Sequence, residues 1–577
     1  MTLQSKLSSF HKKSALLTQK LWFIMLASSL VGALLFVIIY GVRILDPTYD
    51  DWLLQGGDLT QHYVGWLFFR RSEWQFPFGL IDGVLGNIKV SVMYTDSVPL
   101  LAVFFKLLSP LLPETFQYYG LLGLGSFMLS GACAALLIHR FSSNGLFCIL
   151  GSVIYMLCPA VFQRLYGHET LACHYIILLG MILWFYQEHD WGKKWKCRLF
   201  PPLLWGALGV LAVGTHIYYL PMTYCFLAGC FITDTFRYKK YVRPLLCLAA
   251  ITVTSLLTMW LLGAFYTKAD ISADGLGQYS ANLNTFWNPL NIGGNSMQGY
   301  SSEGSFFLSQ RPVNSGQYEG YAYVGFGVMV GAVIALIAVV CRAVKLKKEC
   351  VSRFRSRGLW LAAGAFVFGA ALFYSLSPQA YFNETRLYEI SWSENVRAVM
   401  SSFRATGRFA WVCDYMIFTA VMYGLSHIRK KHIMIAALAF CTALQVIDLS
   451  GLISSRKWYK EEQVYTSPLQ DPRWEQLAQG KSRFVGLSYD QSPPTIYAFS
   501  IFAYRHNMTI NHFHIARPPF DEILAQYYDT MSKLESGNAD MNALYVFMSK
   551  DYIPQVEGMQ VYEMDGYYVV DFPNKFQ

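Results

Sequence analysis

The sequence predicts an α-helical polytopic membrane protein of about eleven spans, followed by a small α/β domain at its C-terminal end. Three observations carry that reading. Of the 577 residues, 54% are hydrophobic and only 14% are charged, whereas soluble domains carry about 25% charged residues. The apolar residues gather in runs near the roughly 20 residues that cross a bilayer. The lysines and arginines fall in short clusters between those runs. The net charge of +9 is therefore no patch for nucleic acid. The same composition excludes a water-soluble enzyme and a disordered chain.

Eleven segments have the length and hydrophobicity of spans or come close to it. They are 21–42, 115–138, 144–162, 170–187, 201–215, 217–234, 244–265, 321–341, 358–376, 408–427 and 432–449. The pair 201–215 and 217–234 is interrupted by His216 and Pro221. The stretch 98–112 carries Lys106 and is bracketed by Pro99, Pro110 and Pro113. It reads as a helix lying against the membrane surface. With an inside amino terminus, the cytoplasmic pieces 1–20, 139–143, 188–200, 235–243, 342–357 and 428–431 hold 23 of the 46 Lys and Arg residues. That asymmetry predicts a multi-pass membrane protein with its N-terminus on the cytoplasmic side and its C-terminal domain outside. The run 21–42 is too long for a cleaved signal and stays as the first span. None of the twelve cysteines lies in a long polar loop or beyond Cys441, so they read as small apolar filler in helices.

Residues 1–449 thus form a transmembrane domain with exported loops at 43–114 and 266–320, and 450–577 form a soluble domain. In that tail, RFVGL (483–487) and ALYVFMS (543–549) read as strands, and FDEILAQYYDTMSKL (520–534) as a helix. VYEMDGYYVVDF (561–572) reads as a hairpin turning at Asp565-Gly566.

Four segments gather ionisable groups near predicted membrane ends. The first runs from Asp46 to Gly79. Gly56-Gly57 frees the backbone before Asp58, and Gln61, His62 and Trp66 follow it at helical spacing, with Arg70 and Arg71 beyond. Tryptophans and arginines so placed suit a helix at headgroup level beside a lipid phosphate; an ordinary amphipathic loop helix is the other reading. The second is Tyr94-Thr95-Asp96-Ser97-Val98-Pro99, where Asp96 either caps the surface helix or serves the chemistry. The third is Gln163-Arg164-Leu165-Tyr166-Gly167-His168-Glu169-Thr170, a turn that faces the same side as Asp58. A histidine at 172 would complete HExxH, but the residue there is Ala172, so no zinc motif is present. The fourth is SFRATGRFAW, residues 402–411. Arg404 and Arg408 offer guanidinium forks for phosphate, with snorkelling to the headgroups as the alternative, and Asp414 pairs with Arg408 or with an adjacent span. The loop 266–320, with Asn282, Asn284, Asn288, Asn291, Asn295 and Gln298, suits sugar hydroxyls, as it also suits any irregular loop. His512 and His514 alone are weak grounds for a metal, and no metal site is assigned.

GGDLTQHYVGW, YTDSVPLLAVFFKLLSPLLP, the YGHE turn and SFRATGRFAW together resemble the GT-C superfamily of membrane glycosyltransferases that use polyprenyl-phosphate sugars. They look most like an uncharacterised bacterial GT-C-like family. The resemblance implies a catalytic set of Asp58, Glu169 and Asp96, with Asp58 the general base toward the acceptor hydroxyl. It implies donor or phosphate contacts from Gln61, His62, Arg70, His168, Arg404 and Arg408. It implies an inverting transfer of sugar from a polyprenyl-phosphate donor in the bilayer to a glycan, lipid or protein acceptor of the cell envelope, on the outer side. It names no certain cofactor and leaves a divalent cation open. A transporter or flippase of a lipid-linked or small polar substrate, and a non-catalytic envelope assembly protein, are the alternatives.

Overall fold

The computed structural model describes residues 20–187, 199–266, 275–290, 304–487 and 492–572, without the side chains of 346–357 and Pro493. The segments 1–19 and 188–198, and Asn291, Asn295 and Gln298, lie outside the described residues.

In chain order, α1 (Leu21–Tyr40) leads into α2 (Gly57–Arg71), a hairpin of β1 (Leu80–Leu85) and β2 (Ile88–Ser91), and α3 (Pro99–Leu107). There follow α4 (Tyr119–His139), α5 (Gly145–Met156), α6 (Pro159–Arg164), α7 (Tyr175–Phe185), α8 (Phe200–Thr215), α9 (Tyr219–Ile232) and α10 (Val242–Leu261). The long α11 (Phe326–Leu376) is succeeded by a hairpin of β3 (Gln379–Phe382) and β4 (Thr385–Glu389), then α12 (Glu394–Ser401), α13 (Ala410–Leu425) and α14 (Lys431–Asp448).

Six helical stretches among the described residues are long and apolar enough to cross a membrane: α1, α4, α10, α14 and the two arms of α11, Phe326–Lys345 and Gly358–Leu376. The protein is therefore an integral membrane protein. Five of the eleven expected spans hold shorter helices, and the sequence explains each break. Pro159 starts α6 after α5 has ended at Met156. A short 3-10 turn, Glu169–Ala172, precedes α7. Extended backbone at His216 separates α8 from α9, and Thr406–Phe409 forms a 3-10 turn before α13. The nine residues of α3 are too few to span, and its Leu100, Phe104 and Leu107 are exposed.

Small residues let the helices approach. A Cβ on Gly32 of α1 would lie 2.5 Å from the Phe127 carbonyl oxygen, and one on Gly131 of α4 would lie 2.5 Å from that of Ser28. Such close backbone contact is how membrane helices gain packing without a hydrophobic driving force between them.

The 51 residues of α11 would reach about 76 Å if straight. They do not. Gly331 meets Val421, and Ala335 meets Gly424, both near the end of α13. Phe368 accepts the Cys413 thiol at 3.5 Å, and Tyr374 stacks edge-on with Phe409 at the start of α13. Both apolar arms lie along the same 16-residue helix in opposite directions. The chain therefore reverses direction somewhere between Ala335 and Phe368.

The tail begins with α15 (Ser450–Ser455) and continues through α16 (Arg473–Ala478), β5 (Arg483–Gly486), α17 (Pro493–Arg505), β6 (Thr509–Ile510), α18 (Phe520–Glu535), β7 (Ala543–Phe547), β8 (Gln560–Met564) and β9 (Tyr567–Asp571). Its strands form one mixed sheet in the order β6-β5-β7-β9-β8. Strands β6, β5 and β7 are parallel, and β9 and β8 are antiparallel neighbours. The turn between β8 and β9 is Asp565-Gly566, both in the left-handed region that such two-residue hairpins require.

This domain is seated on the membrane part. Gly86 of the first hairpin donates its N–H to the Ile510 carbonyl at 2.9 Å. Arg71 donates to the Tyr504 and Met508 carbonyls at 3.2 and 2.7 Å. Ala516 donates to the Tyr94 carbonyl at 2.8 Å, and Arg517 to that of Ser402 at 2.9 Å.

Candidate functional site

The site lies where helix ends and loops meet beneath the C-terminal domain. Helix α2 begins at Gly57, with Gly56 and Gly57 both at positive φ. The Thr60 hydroxyl secures that start by accepting from the Gly56 N–H and donating to the Leu53 carbonyl, each at 2.7 Å. Every residue from Leu59 to Phe69 is buried. Trp66, expected at headgroup level, is thus inside the protein and donates to the Phe116 carbonyl at 3.0 Å. Gln61 and His62 are carried inward, while Asp58 in the first turn stays exposed.

Gly65 lets the turn containing Asp96 press onto α2, since a Cβ there would meet Thr95 at 2.6 Å and Ser97 at 2.8 Å. The Ser97 hydroxyl donates to the His62 carbonyl at 2.6 Å. In that turn Asp96 and Val98 both have left-handed backbone, at φ +54° and +50°. This conformation is costly for non-glycine residues, above all a β-branched one, and such strain gathers at functional sites. Asp96 does not cap α3; Val98 occupies the cap position and no side chain bonds there. The reason is that the Asp96 carboxylate is turned toward three histidines.

Those histidines come from separate segments. His216 Nε2 lies 3.5 Å from Asp96 Oδ1, and His168 Nε2 lies 3.8 Å from Oδ2. The rings of His62 and His168 have centroids 4.9 Å apart. Each Nδ1 has its own partner: Glu169 Oε1 at 2.7 Å for His62, the Thr170 hydroxyl at 3.0 Å for His168, and the Tyr218 N–H at 3.3 Å for His216. Burial pushes Asp96 up to about 6, against the pull of His62. Burial would lower His62, but the Glu169 carboxylate outweighs it and raises the imidazole to about 9. Burial holds His168 and His216 well below the ordinary histidine range, with nearby cations adding to the effect. At neutral pH the cluster therefore contains a buried His62–Glu169 ion pair beside two neutral imidazoles.

A second buried group adjoins it. Glu319 accepts from Arg164 Nη2 at 2.5 Å and from Arg408 Nε at 2.8 Å. Arg408 lies over the Tyr218 ring at 4.5 Å, and Arg164 over Trp411 at 5.7 Å. Burial would raise Glu319, but the two guanidinium groups hold it down at about 2. Two cations sharing one carboxylate leave one positive charge in excess, felt by Asp96 and by both neutral histidines.

The site is shared with the C-terminal domain. His514 Nδ1 meets Gln61 Oε1 at 2.8 Å. Burial lowers His514, Asp58 raises it, and His62 and Arg404 lower it further. Asp58 also acts on Tyr497. Arg404 is exposed and lies over the Tyr279 ring at 5.5 Å.

Of the residues expected from the sequence, Asp58, Gln61, His62, Asp96, His168, Glu169, Arg404 and Arg408 converge here. Arg70 does not. Its guanidinium donates to the Glu114 and Pro113 carbonyls, both at 2.8 Å, and so fastens the end of the first loop. Asp414 pairs with nothing among the described residues; it is fully buried and neither carboxylate oxygen has a hydrogen-bond partner. Glu319 and His216 join the site with no role expected from the sequence; Arg164, named only within the third segment, and His514, weighed only for a metal, join it as well. His62, Asp96 and His168 each bring one ligand-type atom within 4.8 Å of the others, an arrangement able to hold a metal ion.

Apolar helices and a buried charged cluster beneath a mixed-sheet domain define an integral membrane protein with a site at one end of its helical bundle. The chain belongs to the family described as a domain of unknown function, DUF6311, whose model matches residues 29–450. The DUF6311 C-terminal domain matches residues 473–571. No curated protein matches the chain. Two solved structures of ArnT from Cupriavidus metallidurans are similar over nearly the whole chain. The one bound to undecaprenyl phosphate has 10% identity and a TM-score of 0.41, covering 96% of this chain and 98% of that one. The apo form has 11% identity and a TM-score of 0.42, covering 93% and 97%.

Proposed function

We propose that the protein is a membrane glycosyltransferase that moves a sugar from a polyprenyl-phosphate donor to a glycan, lipid or protein acceptor on the extracytoplasmic side. The observation that carries this reading is that α2, which begins with the exposed Asp58, meets His514 of the C-terminal domain through Gln61 and Glu169 through His62, beside a buried Arg164–Glu319–Arg408 group with one positive charge in excess. An exposed carboxylate there can take the proton of an acceptor hydroxyl. The guanidinium groups of Arg404 and Arg408 can stabilise charge on a departing phosphate. The exposed apolar side chains of α3, which starts two residues after Ser97, offer the donor's hydrocarbon a surface next to this site. One displacement assisted by Asp58 inverts the anomeric centre.

The test compares wild type, Asp58→Asn and Arg404→Ala at equal expression, following transfer of labelled sugar from polyprenyl-phosphate donors in membranes. Loss of a general base lowers the rate by about 10²–10⁴-fold. Undiminished transfer by Asp58→Asn removes the base assignment, and passage of intact substrate without transfer replaces the reading with a transporter.

A further inference from the structure

We propose that His62, Asp96 and His168 form a binding site for a first-row divalent transition ion, of which Zn²⁺ is the reference. Three features of the cluster point to coordination. The first is spacing. Tetrahedral zinc with bonds of about 2.0–2.1 Å keeps its ligand atoms about 3.3 Å apart. His168 Nε2 and Asp96 Oδ2 stand at 3.8 Å, and all three ligand atoms lie within 4.8 Å of one another, so the shell closes with shifts of about an ångström.

The second feature is the outer ring of contacts. Metal-binding histidines almost always give their other ring nitrogen to a carboxylate, carbonyl or hydroxyl, which fixes ring orientation. Glu169 does this for His62, and Thr170 for His168. His216 Nε2, at 3.5 Å from the other Asp96 oxygen, steadies the carboxylate in the same way. The remaining Glu169 oxygen is buried without a hydrogen-bond partner, so that side chain is committed to His62 alone.

The third feature is the ligand set. Two imidazoles and one carboxylate suit zinc, iron or manganese better than magnesium or calcium, which favour all-oxygen shells. Three protein ligands leave a fourth position open, as in sites where the ion meets a substrate rather than merely cross-linking the fold. The ligands come from α2, the turn before α3 and the turn after α6, so one ion ties together three segments of the site. No short-range motif announces it, because the ligands are 34 and 72 residues apart along the chain.

The full-length protein, purified in detergent and stripped with a chelator, is incubated with Zn²⁺, desalted and analysed for metal. About one equivalent is expected in wild type and in the control His506→Asn, with at least a fivefold loss in His168→Asn and Asp96→Asn. Co²⁺ loaded into wild type gives the visible absorption of a low-coordinate nitrogen and oxygen site, independent of whether the variants fold. Absence of bound metal in wild type, or retention of it in both variants, overturns the proposal. The readout is metal rather than sugar, so its failure is distinct from failure of the transferase reading.

Discussion

Glu319→Gln removes the one negative charge between two buried guanidinium groups while keeping the side chain's size. The cost can be worked in two ways. Arg164 and Arg408 hold Glu319 at about 2 against an ordinary 4.5. At about 1.4 kcal/mol per pH unit, this corresponds to about 3 kcal/mol of stability. Independently, removing one partner from a buried ion pair typically costs about 3–5 kcal/mol, because the remaining charge is stranded. The two agree, and the 11% exposure of this side chain leaves little room for solvent screening. The sign follows from the depressed value: the contribution is fully present above the unfolded carboxyl's ordinary range and is lost as pH falls toward 2. Equilibrium unfolding in mixed micelles, read by tryptophan fluorescence at pH 7, should show Glu319→Gln about 3 kcal/mol less stable than wild type. Adding Arg408→Met should recover part of the loss, since only one cation then lacks its partner. A deficit below about 1 kcal/mol, or a further loss on adding Arg408→Met, refutes the claim that Glu319 neutralises both arginines.

Two further outcomes follow from the same packing. In metal-free protein, His62 is raised to about 9 by Glu169, so its contribution is complete below the ordinary 6.5 and disappears as pH rises through about 9; thermal unfolding should therefore fall between pH 7 and 9.5 in wild type and flatten in Glu169→Gln, and equal slopes would discard the buried pair. Gly65→Ala places a methyl 2.6 Å from the Thr95 side chain, and an overpacked contact of this kind should cost about 1–3 kcal/mol in the same micelle assay.

Features with a local signal were legible in the sequence. The turn at Asp565-Gly566 lies between alternating residues, and the hairpin forms at that position. The apolar runs of α1 and α4 needed only length and hydropathy. The convergence of loops was readable in part, because Asp58, Asp96, His168 and Arg408 each stood at the edge of an apolar run. The character of α2 was not. It is buried on every side, so it has no polar face, and the Gln61 and His62 it carries inward read like surface groups. Glu319 had no local signal either. Its partners lie 155 and 89 residues away, and only the folded chain brings them to it. His216 read as a flaw in an apolar run because its partner, Asp96, is equally remote in sequence. The hairpin of β1 and β2 escaped notice because its pairing is irregular and its support comes from β6 in the tail.

The bond between His514 and Gln61 has a bearing on how the gene can be cut and recombined. A truncation after the last long helix would strip away a partner of the buried helix α2, not an appendage. Tails exchanged between relatives would need their matching first loops, so the two parts should be inherited as a unit.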